Sequence, residues 1–350
     1  MELTKKDTQV AKGMAVLGMV MLHLFCQLGD LPYTPLIWCG EVPLIYYLGL
    51  FGDLCVPVFC FCSGYAHYLM ADAQKNEYPR RIPGKALRFL CNYWIVVVLF
   101  SALGLIFDKT GTIPGSWGKF AGNMLVVGMS YNGAWWFVTT YLLLLVMSPA
   151  LAALAKRVNG IVLLVISIVI YFVAYILRFD YVIEFSNPVL RWLWEQTILL
   201  GTSQIGYFGG MVCRKYGVIG AMREYLKDRT VLRRGIVFGL PLAAFVGHCV
   251  IQSAFVAPFT AAAVLTGLFL AKLPGWAERC FLGLGRHSTN IWLVHMFFYL
   301  VLFRGFAFTA KYPVLILGLM LAACFAASMV IDSLYRPVLA LLERKTYQKI

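Results

Sequence analysis

The chain has 350 residues, with 30 Lys and Arg against 16 Asp and Glu, a formal charge of +14 and 61% hydrophobic residues. Only 13% of the residues are charged, about half the share of a soluble domain, and the mean hydropathy is +0.77, so a water-soluble fold is excluded. The positive excess does not indicate nucleic acid, because the Lys and Arg residues gather in short segments between apolar runs and form no single basic face.

About 20 apolar residues are needed per crossing. On that measure spans are expected near 10–29, 43–70, 89–107, 134–154, 159–177, 196–213, 235–253, 254–272, 288–304 and 313–332. The expectation is an all-α polytopic membrane protein of about ten transmembrane helices in one bundle, read as a single transmembrane domain over 1–350 with no soluble domain. The first run follows Lys5 and Lys6 like a signal peptide, but it is span-length and has no small-residue cleavage site, so it stays as the first span. The least regular parts are the Gly-rich stretch 115–134, with Trp117, and the nearly loop-free join at 250–258, where Pro258 is expected in the first turn of its helix.

If residue 1 starts in the cytoplasm, the inside segments hold 24 of the 30 basic residues. The other six are Lys109, Lys119, Arg178, Arg191, Arg304 and Lys311, so both termini are expected to be cytoplasmic. The basic loop 214–234 reads as an orientation signal. Lys75, Arg344, Lys345 and Lys349 also count among the inside charges. Most of the ten cysteines sit in apolar runs as small hydrophobes. Cys55, Cys60 and Cys62 lack the paired spacing and His neighbours of a zinc site, so no metal is expected.

Ionisable groups inside spans are expensive and are therefore functional candidates. They are Lys12, His23, Asp53, His67, His248 and His295, with Arg88 at a span's edge. Lys12 and His23 are eleven residues apart, three turns plus about 20°, so they share one helix face with His23 about 16 Å deeper. The pair reads either as a snorkelling lysine with a hydrogen-bonded histidine or as a phosphate contact above a deep imidazole. Lys85 and Arg88, at i and i+3, also share a face able to chelate a phosphate, or serve as charges flanking a span. No G-x-x-x-x-G-K or G-x-G-x-x-G is present, so a nucleotide-like donor must be held by side-chain cations.

Several segments resemble the membrane acyltransferase 3 family. Lys12 to His23 is similar to its R-x10-H feature, with Lys for Arg. Val56-Pro57-Val58-Phe59-Cys60-Phe61-Cys62-Ser63-Gly64-Tyr65 resembles its V-P-x-F-F-x-x-S-G stretch and following aromatic. Lys85-Ala86-Leu87-Arg88-Phe89-Leu90-Cys91-Asn92-Tyr93 resembles R-x-x-R-I-x-P-x-Y. Trp135-Trp136-Phe137-Val138 with Ser148-Pro149 resembles the W-F-x-x…P segment, and Ser288-Thr289-Asn290-Ile291-Trp292-Leu293-Val294-His295 resembles S-x-x-I-Y-L-x-H. The set runs in the expected order along the chain. The resemblance implies transfer of an acyl group, usually acetyl, from cytoplasmic acyl-CoA to a hydroxyl of a surface glycan or related cell-envelope acceptor, such as a lipid-linked glycan. It implies a multi-pass protein of the bacterial cytoplasmic membrane, with acetyl-CoA as co-substrate, no tightly bound cofactor, and either a separate extracytoplasmic partner or a homodimer. The Lys-for-Arg departures keep the charge but lose the bidentate fork. Many family members carry a fused extracytoplasmic hydrolase-like domain, and here such a partner is expected to be a separate protein.

Acyl transfer to an alcohol needs a base, donors for the oxyanion and a holder for the CoA phosphates. His23 is the expected base or relay. Asp53, in the Gly52-Asp53-Leu54 break, is expected either to orient an imidazole or to pair with Lys12, and His295 serves the acceptor side or bonds between helices. Lys12, Lys85 and Arg88 are the expected CoA-phosphate cations. Trp135, Trp136 and Tyr141 stack a sugar or adenine, or form an aromatic belt. Ser63, four residues before His67 on one helix face, is assigned to the substrate site; it reads either as a nucleophile paired with His67 or, more readily, with Gly64 as a site of close helix packing. His67 and His248 are read as structural. The rival class is a transporter or flippase of a lipid-linked sugar or small acid without acyl chemistry. Release of CoA thiol separates the two.

Overall fold

The computed structural model describes residues 2–74, 77–108, 110–181, 183–303 and 305–347. Of the basic residues used for orientation, Lys75, Lys109, Arg304 and Lys349, and the side chains of Arg344 and Lys345, lie outside the described residues. In chain order the helices are α1 (Lys5–Phe25), α2 (Leu44–Leu50), α3 (Cys55–Gln74), α4 (Tyr78–Phe107), α5 (Trp117–Met124), α6 (Trp136–Arg157) and α7 (Gly160–Phe179). They continue with α8 (Pro188–Lys215), α9 (Val218–Tyr225), α10 (Thr230–Arg234), α11 (Leu240–Ile251), α12 (Ala257–Leu270), α13 (Gly275–Met296) and α14 (Pro313–Tyr347). The strand content among the described residues is one short antiparallel ladder, β1 (Trp38–Cys39) on β2 (Val42–Pro43), with Trp38 opposite Pro43.

Seven described segments are long and apolar enough to cross a membrane: Lys5–Phe25, Leu44–Gln74, Tyr78–Phe107, Gly133–Arg157, Gly160–Phe179, Thr230–Ile251 and Pro313–Glu343. The protein is an all-α, multi-pass membrane protein. Three further expected spans are helical but fall short of that standard. α8 is diluted by Gln196, Ser203, Gln204 and several glycines, α12 has only 14 residues, and α13 carries Glu278, Arg279 and Arg286.

Helices outrun the apolar stretches that mark them. α4 starts at Tyr78, where the apolar run begins near 89, because Tyr78 and Ile82, one turn apart, are both buried and draw the charged turn between them into the helix, with Pro83 inside it. α8 starts at Pro188 because Asn187 accepts hydrogen bonds from the Val189 and Leu190 amides at 2.8 and 3.3 Å, a side-chain cap that hydropathy does not register. α1 opens on a reciprocal cap: the Thr4 hydroxyl accepts from the Asp7 amide, and the Thr4 amide donates to the Asp7 carboxylate. Pro258 sits in the first turn of α12, as its missing N–H requires. The second span is interrupted where Gly52-Asp53 suggested, by a 3-10 turn at Phe51–Leu54.

The chain divides into two compact units. The first comprises Met1–Cys26, Leu44–Pro79 and Met147–Ser288, and the second Gln27–Pro43, Arg80–Val146 and Thr289–Ile350. Within the first unit, helices approach at glycines. A Cβ at Gly64 of α3 would strike the Tyr207 carbonyl of α8, and one at Gly210 of α8 would strike the Phe61 carbonyl of α3. In a membrane, where lipid is as apolar as leucine, such backbone approach is a principal source of helix association.

The basic loop is tied down in the same unit. Arg223 donates Nε and Nη2 to the Phe269 carbonyl at 3.1 and 2.9 Å, and Arg233 donates to the Leu270 carbonyl at 2.9 and 2.8 Å. Two arginines thus satisfy the open carbonyl end of α12, where cations are favoured. The Glu2 carboxylate accepts from Tyr65 Oη at 2.7 Å and from the Gly220 amide at 2.8 Å.

In the second unit a buried polar network ties α4, α13 and α14 together. Asn92 Nδ2 donates to Asn290 Oδ1 at 2.8 Å, and Asn290 Nδ2 donates to Ser328 Oγ and Asp332 Oδ1 at 3.0 and 2.8 Å. Both asparagine amides are engaged, which removes most of the cost of burying them.

Candidate functional site

The first unit carries the Lys12–His23 stripe. α1 runs from Lys5 to Phe25, so Lys12 lies at the start of its third turn and His23 in its last turn. Lys12 is half-buried, makes no ion pair among the described residues and lies within electrostatic reach of the Cys62 thiol on α3. His23 is half-buried, and its Nδ1 meets the Met19 carbonyl at 2.9 Å. A carbonyl only accepts, so Nδ1 carries the proton in the neutral ring and Nε2 is the basic nitrogen.

Asp53 comes to this helix by backbone contact. Gly52 and Gly18 abut so closely that a Cβ on Gly52 would strike the Gly18 carbonyl, and a Cβ on Gly49 would press on the Met21 carbonyl at 3.0 Å. The 3-10 turn therefore lies flat against α1, and Asp53 acts electrostatically on Cys26 just beyond the end of that helix. Its hydrogen-bond partner is His248 of α11: Nε2 lies 2.9 Å from Asp53 Oδ2, with the two side chains only 1% and 10% exposed. Phe51 covers the imidazole edge-on, with centroids 5.9 Å apart. Asp53 Oδ1 and His248 Nδ1 are buried without a hydrogen bond among the described residues. Of the two alternatives for Asp53, the structure has the imidazole and not Lys12, and the imidazole belongs to His248. Sequence reasoning left His248 structural, and no local signal joins residues 195 positions apart.

Ser63 and His67 share a helix face but not a bond. Ser63 Oγ donates to the Phe59 carbonyl at 2.8 Å, while His67 Nδ1 lies 2.7 Å from Tyr207 Oη. The adjoining Gly64 makes the close helix contact expected of it.

The second unit carries the other cations and the aromatic residues. Lys85 interacts electrostatically with both Arg81 and Arg88. The three lie at i, i+4 and i+7 on one face of α4, a spacing that could have brought Arg81 into the group. Arg88 faces Glu343 at 3.9 Å, with both side chains largely exposed, so this pair is worth little. Trp135 is fully buried and donates Nε1 to the Leu293 carbonyl at 2.9 Å. Trp136 is half-buried, edge-on to Phe137 at 5.5 Å. Tyr141, also half-buried, packs on Phe89 at 4.7 Å, and Phe89 stacks in turn on Trp292 at 6.4 Å. His295 is buried, with Nδ1 2.8 Å from the Trp292 carbonyl. Its ring stacks on Tyr299 at 6.4 Å, where α13 gives way to a π turn. No three His, Cys, Asp or Glu side chains among the described residues converge as a metal site.

A fold of apolar helices that carries a few buried bases and carboxylates, with cations toward helix ends, defines a membrane enzyme or carrier. The choice between these comes from the family comparison: the family model described as an acyltransferase domain, acyltransferase 3, matches residues 7–332, and the chain belongs to that family. It is a multi-pass membrane acyltransferase. No curated protein and no solved structure matches the chain.

Proposed function

We propose that this acyltransferase moves an acyl group, acetyl in the first instance, from cytoplasmic acyl-CoA to a hydroxyl of a glycan or lipid-linked glycan, in a bacterial cytoplasmic membrane. The observation that carries the reading is the α1 stripe, with half-buried Lys12 and His23 on one face of a helix against which the Asp53 turn is pressed. An eleven-residue separation is about 16 Å, comparable to the reach of a pantetheine arm from a phosphate held near Lys12 to a thioester near His23.

In this proposal His23 Nε2 takes the proton of the acceptor hydroxyl as its oxygen attacks the thioester carbonyl. The thioester C–S bond breaks, CoA leaves as the thiolate, and the imidazolium returns the proton to it. Lys12 on α1, and Lys85 with Arg88 on α4, are assigned to the donor's phosphates. Asp53 orients His248, and His295, Ser63, Trp136 and Tyr141 are assigned to the acceptor side. Trp135 is assigned to the same side through its place in the packing beneath Leu293. Ten crossings with both termini cytoplasmic complete the topology.

The test is thiol release. Purified protein supplied with acetyl-CoA and cell-envelope glycan should liberate CoA thiol, and the glycan should gain acetyl mass. A carrier without acyl chemistry liberates none, and that result rejects the proposal.

A further inference from the structure

A cavity of about 400 Å³ opens where the last turn of α7 meets the first turns of α8, and its lining includes Arg178, Glu184, Arg191, Trp194 and Glu195 above an aliphatic floor that contains Ile198. Its volume is within the range of small-molecule sites. α7 has 20 residues and is about 30 Å long. At its other end Lys215 donates Nζ to the Ala155 and Val158 carbonyls, both at 2.8 Å, beside Lys156 and Arg157. The cavity and that basic end are therefore one hydrocarbon thickness apart.

The polar groups of the cavity are unequally occupied. Arg191 donates Nε and Nη2 to the Phe185 carbonyl at 3.2 and 2.8 Å, which folds the preceding loop back over Trp194, 5.8 Å from the Phe185 ring. Arg178 donates to Thr202 Oγ1 at 3.4 Å and lies over the Phe179 ring at 5.1 Å. Glu184 and Glu195 are exposed and have no hydrogen bond or ion pair among the described residues. The arginines are thus partly spent on the protein, whereas both carboxylates remain available as acceptors beside an aromatic ring. Two positive and two negative groups leave no net charge to attract an anion. The ligand that fits is neutral, donates several hydrogen bonds and has an apolar C–H face for Trp194, which describes a pyranose ring.

Tyr171, two turns before Arg178 on α7, ties the cavity's helix to the join between α11 and α12. Its hydroxyl donates toward the Ala254 and Phe255 carbonyls at 3.2 and 3.0 Å, in the join that follows α11 and His248. We propose that the α7–α8 cavity is a saccharide subsite, with Glu184 and Glu195 accepting from sugar hydroxyls and Trp194 packing on the ring. As the acceptor end of the reaction this rests on the acyl-transfer reading, but its binding chemistry stands independently.

The full chain, in a detergent without a sugar head group, is titrated with glucose, galactose, N-acetylglucosamine and lactose, with inorganic phosphate and choline as counter-probes, and binding is read by saturation-transfer NMR. Saturation is expected on saccharide C–H protons. It should be lost in Trp194→Ala, and binding should weaken about tenfold in Glu184→Gln and in Glu195→Gln, each of which removes one charge-assisted hydrogen bond at an exposed position. Absence of saccharide binding, unchanged binding in both Gln variants, or binding of phosphate or choline in place of saccharide overturns the proposal. Thiol release by the same preparations separates the two readings. Saccharide binding without thiol release removes acyl transfer and leaves the subsite. Thiol release whose acceptor KM is unchanged in both Gln variants removes the subsite and leaves acyl transfer.

Discussion

Truncation of Asp53 to alanine leaves His248 buried, 1% exposed, with neither ring nitrogen hydrogen-bonded, since Nδ1 already has no partner among the described residues and Nε2 loses the carboxylate 2.9 Å away. A hydrogen bond to a charged group is worth about 1.5–3 kcal/mol, and breaking a buried pair from one side costs about 3–5 kcal/mol because the abandoned partner stays desolvated. We take about 3 kcal/mol, more than a hundredfold in the folding equilibrium. His248→Ala should cost a similar amount by stranding the carboxylate. The double variant should cost less than the sum of the singles by at least about 1.5 kcal/mol, because each single change already removes the shared bond. Asp53→Asn keeps an acceptor for Nε2 and should cost about 1 kcal/mol. Unfolding by sodium dodecyl sulfate in mixed micelles, followed by loss of helical circular dichroism, measures all four variants. Single costs below about 0.5 kcal/mol, or a double variant equal to the sum, would refute the assignment of a coupled buried pair.

His23→Ala and His23→Gln should each lower turnover about 10²–10⁴-fold while acetyl-CoA binding survives, since Gln keeps polarity and size but carries no proton; near-normal transfer in the Gln variant removes the base role. Charge removal at Lys12, Lys85 or Arg88 should raise the KM for acetyl-CoA about tenfold, with Lys12→Arg and Lys85→Arg tolerated, and unchanged donor kinetics in all three alanine variants reject the phosphate role. Cysteines introduced in 108–120 should be labelled from outside intact cells and those in 214–234 should not, so outside labelling of 214–234 overturns the topology. In the loop after α4, burial is the largest single influence on the Asp108 carboxyl and raises its pKa. That effect is outweighed by hydrogen bonds from Thr110 Oγ1, the Ile113 amide and the Thr110 amide, which hold the carboxyl below the usual carboxylate range. A depressed pKa contributes stability that is present above the unfolded value, near 4, and is lost as pH falls through the folded one. The protection of the Thr110 and Ile113 amides against exchange, taken relative to the intrinsic rate at each pH, should therefore fall on acidification below about pH 4, and Asp108→Asn should remove that acid dependence.

The local chemistry of the chain was legible without its fold. Apolar length found the seven strongest membrane helices because the cost of exposing peptide groups to hydrocarbon acts residue by residue along the chain. Helical periodicity placed Lys12 with His23, and Lys85 with Arg88, because a face is a property of one helix. Gly52-Asp53 marked the broken span, and Ser63-Gly64 marked a close contact, because a missing Cβ is a local fact that leads to backbone approach.

What the sequence could not supply were the partners across the fold. Hydropathy located lipid-facing stretches but not helix ends, which caps and buried anchors such as Asn187 and Tyr78 decide. Asp53 needed an imidazole, and five histidines offered themselves. Only the packing of the 3-10 turn against α1 and α11 selected His248. The α7–α8 cavity likewise joins Arg178 to Glu195 across a loop whose return is set by Arg191 on the Phe185 carbonyl. Side-chain pairs of this kind form only after helices are fixed in depth and rotation, and depth and rotation come from contacts between helices, which no single stretch of chain contains.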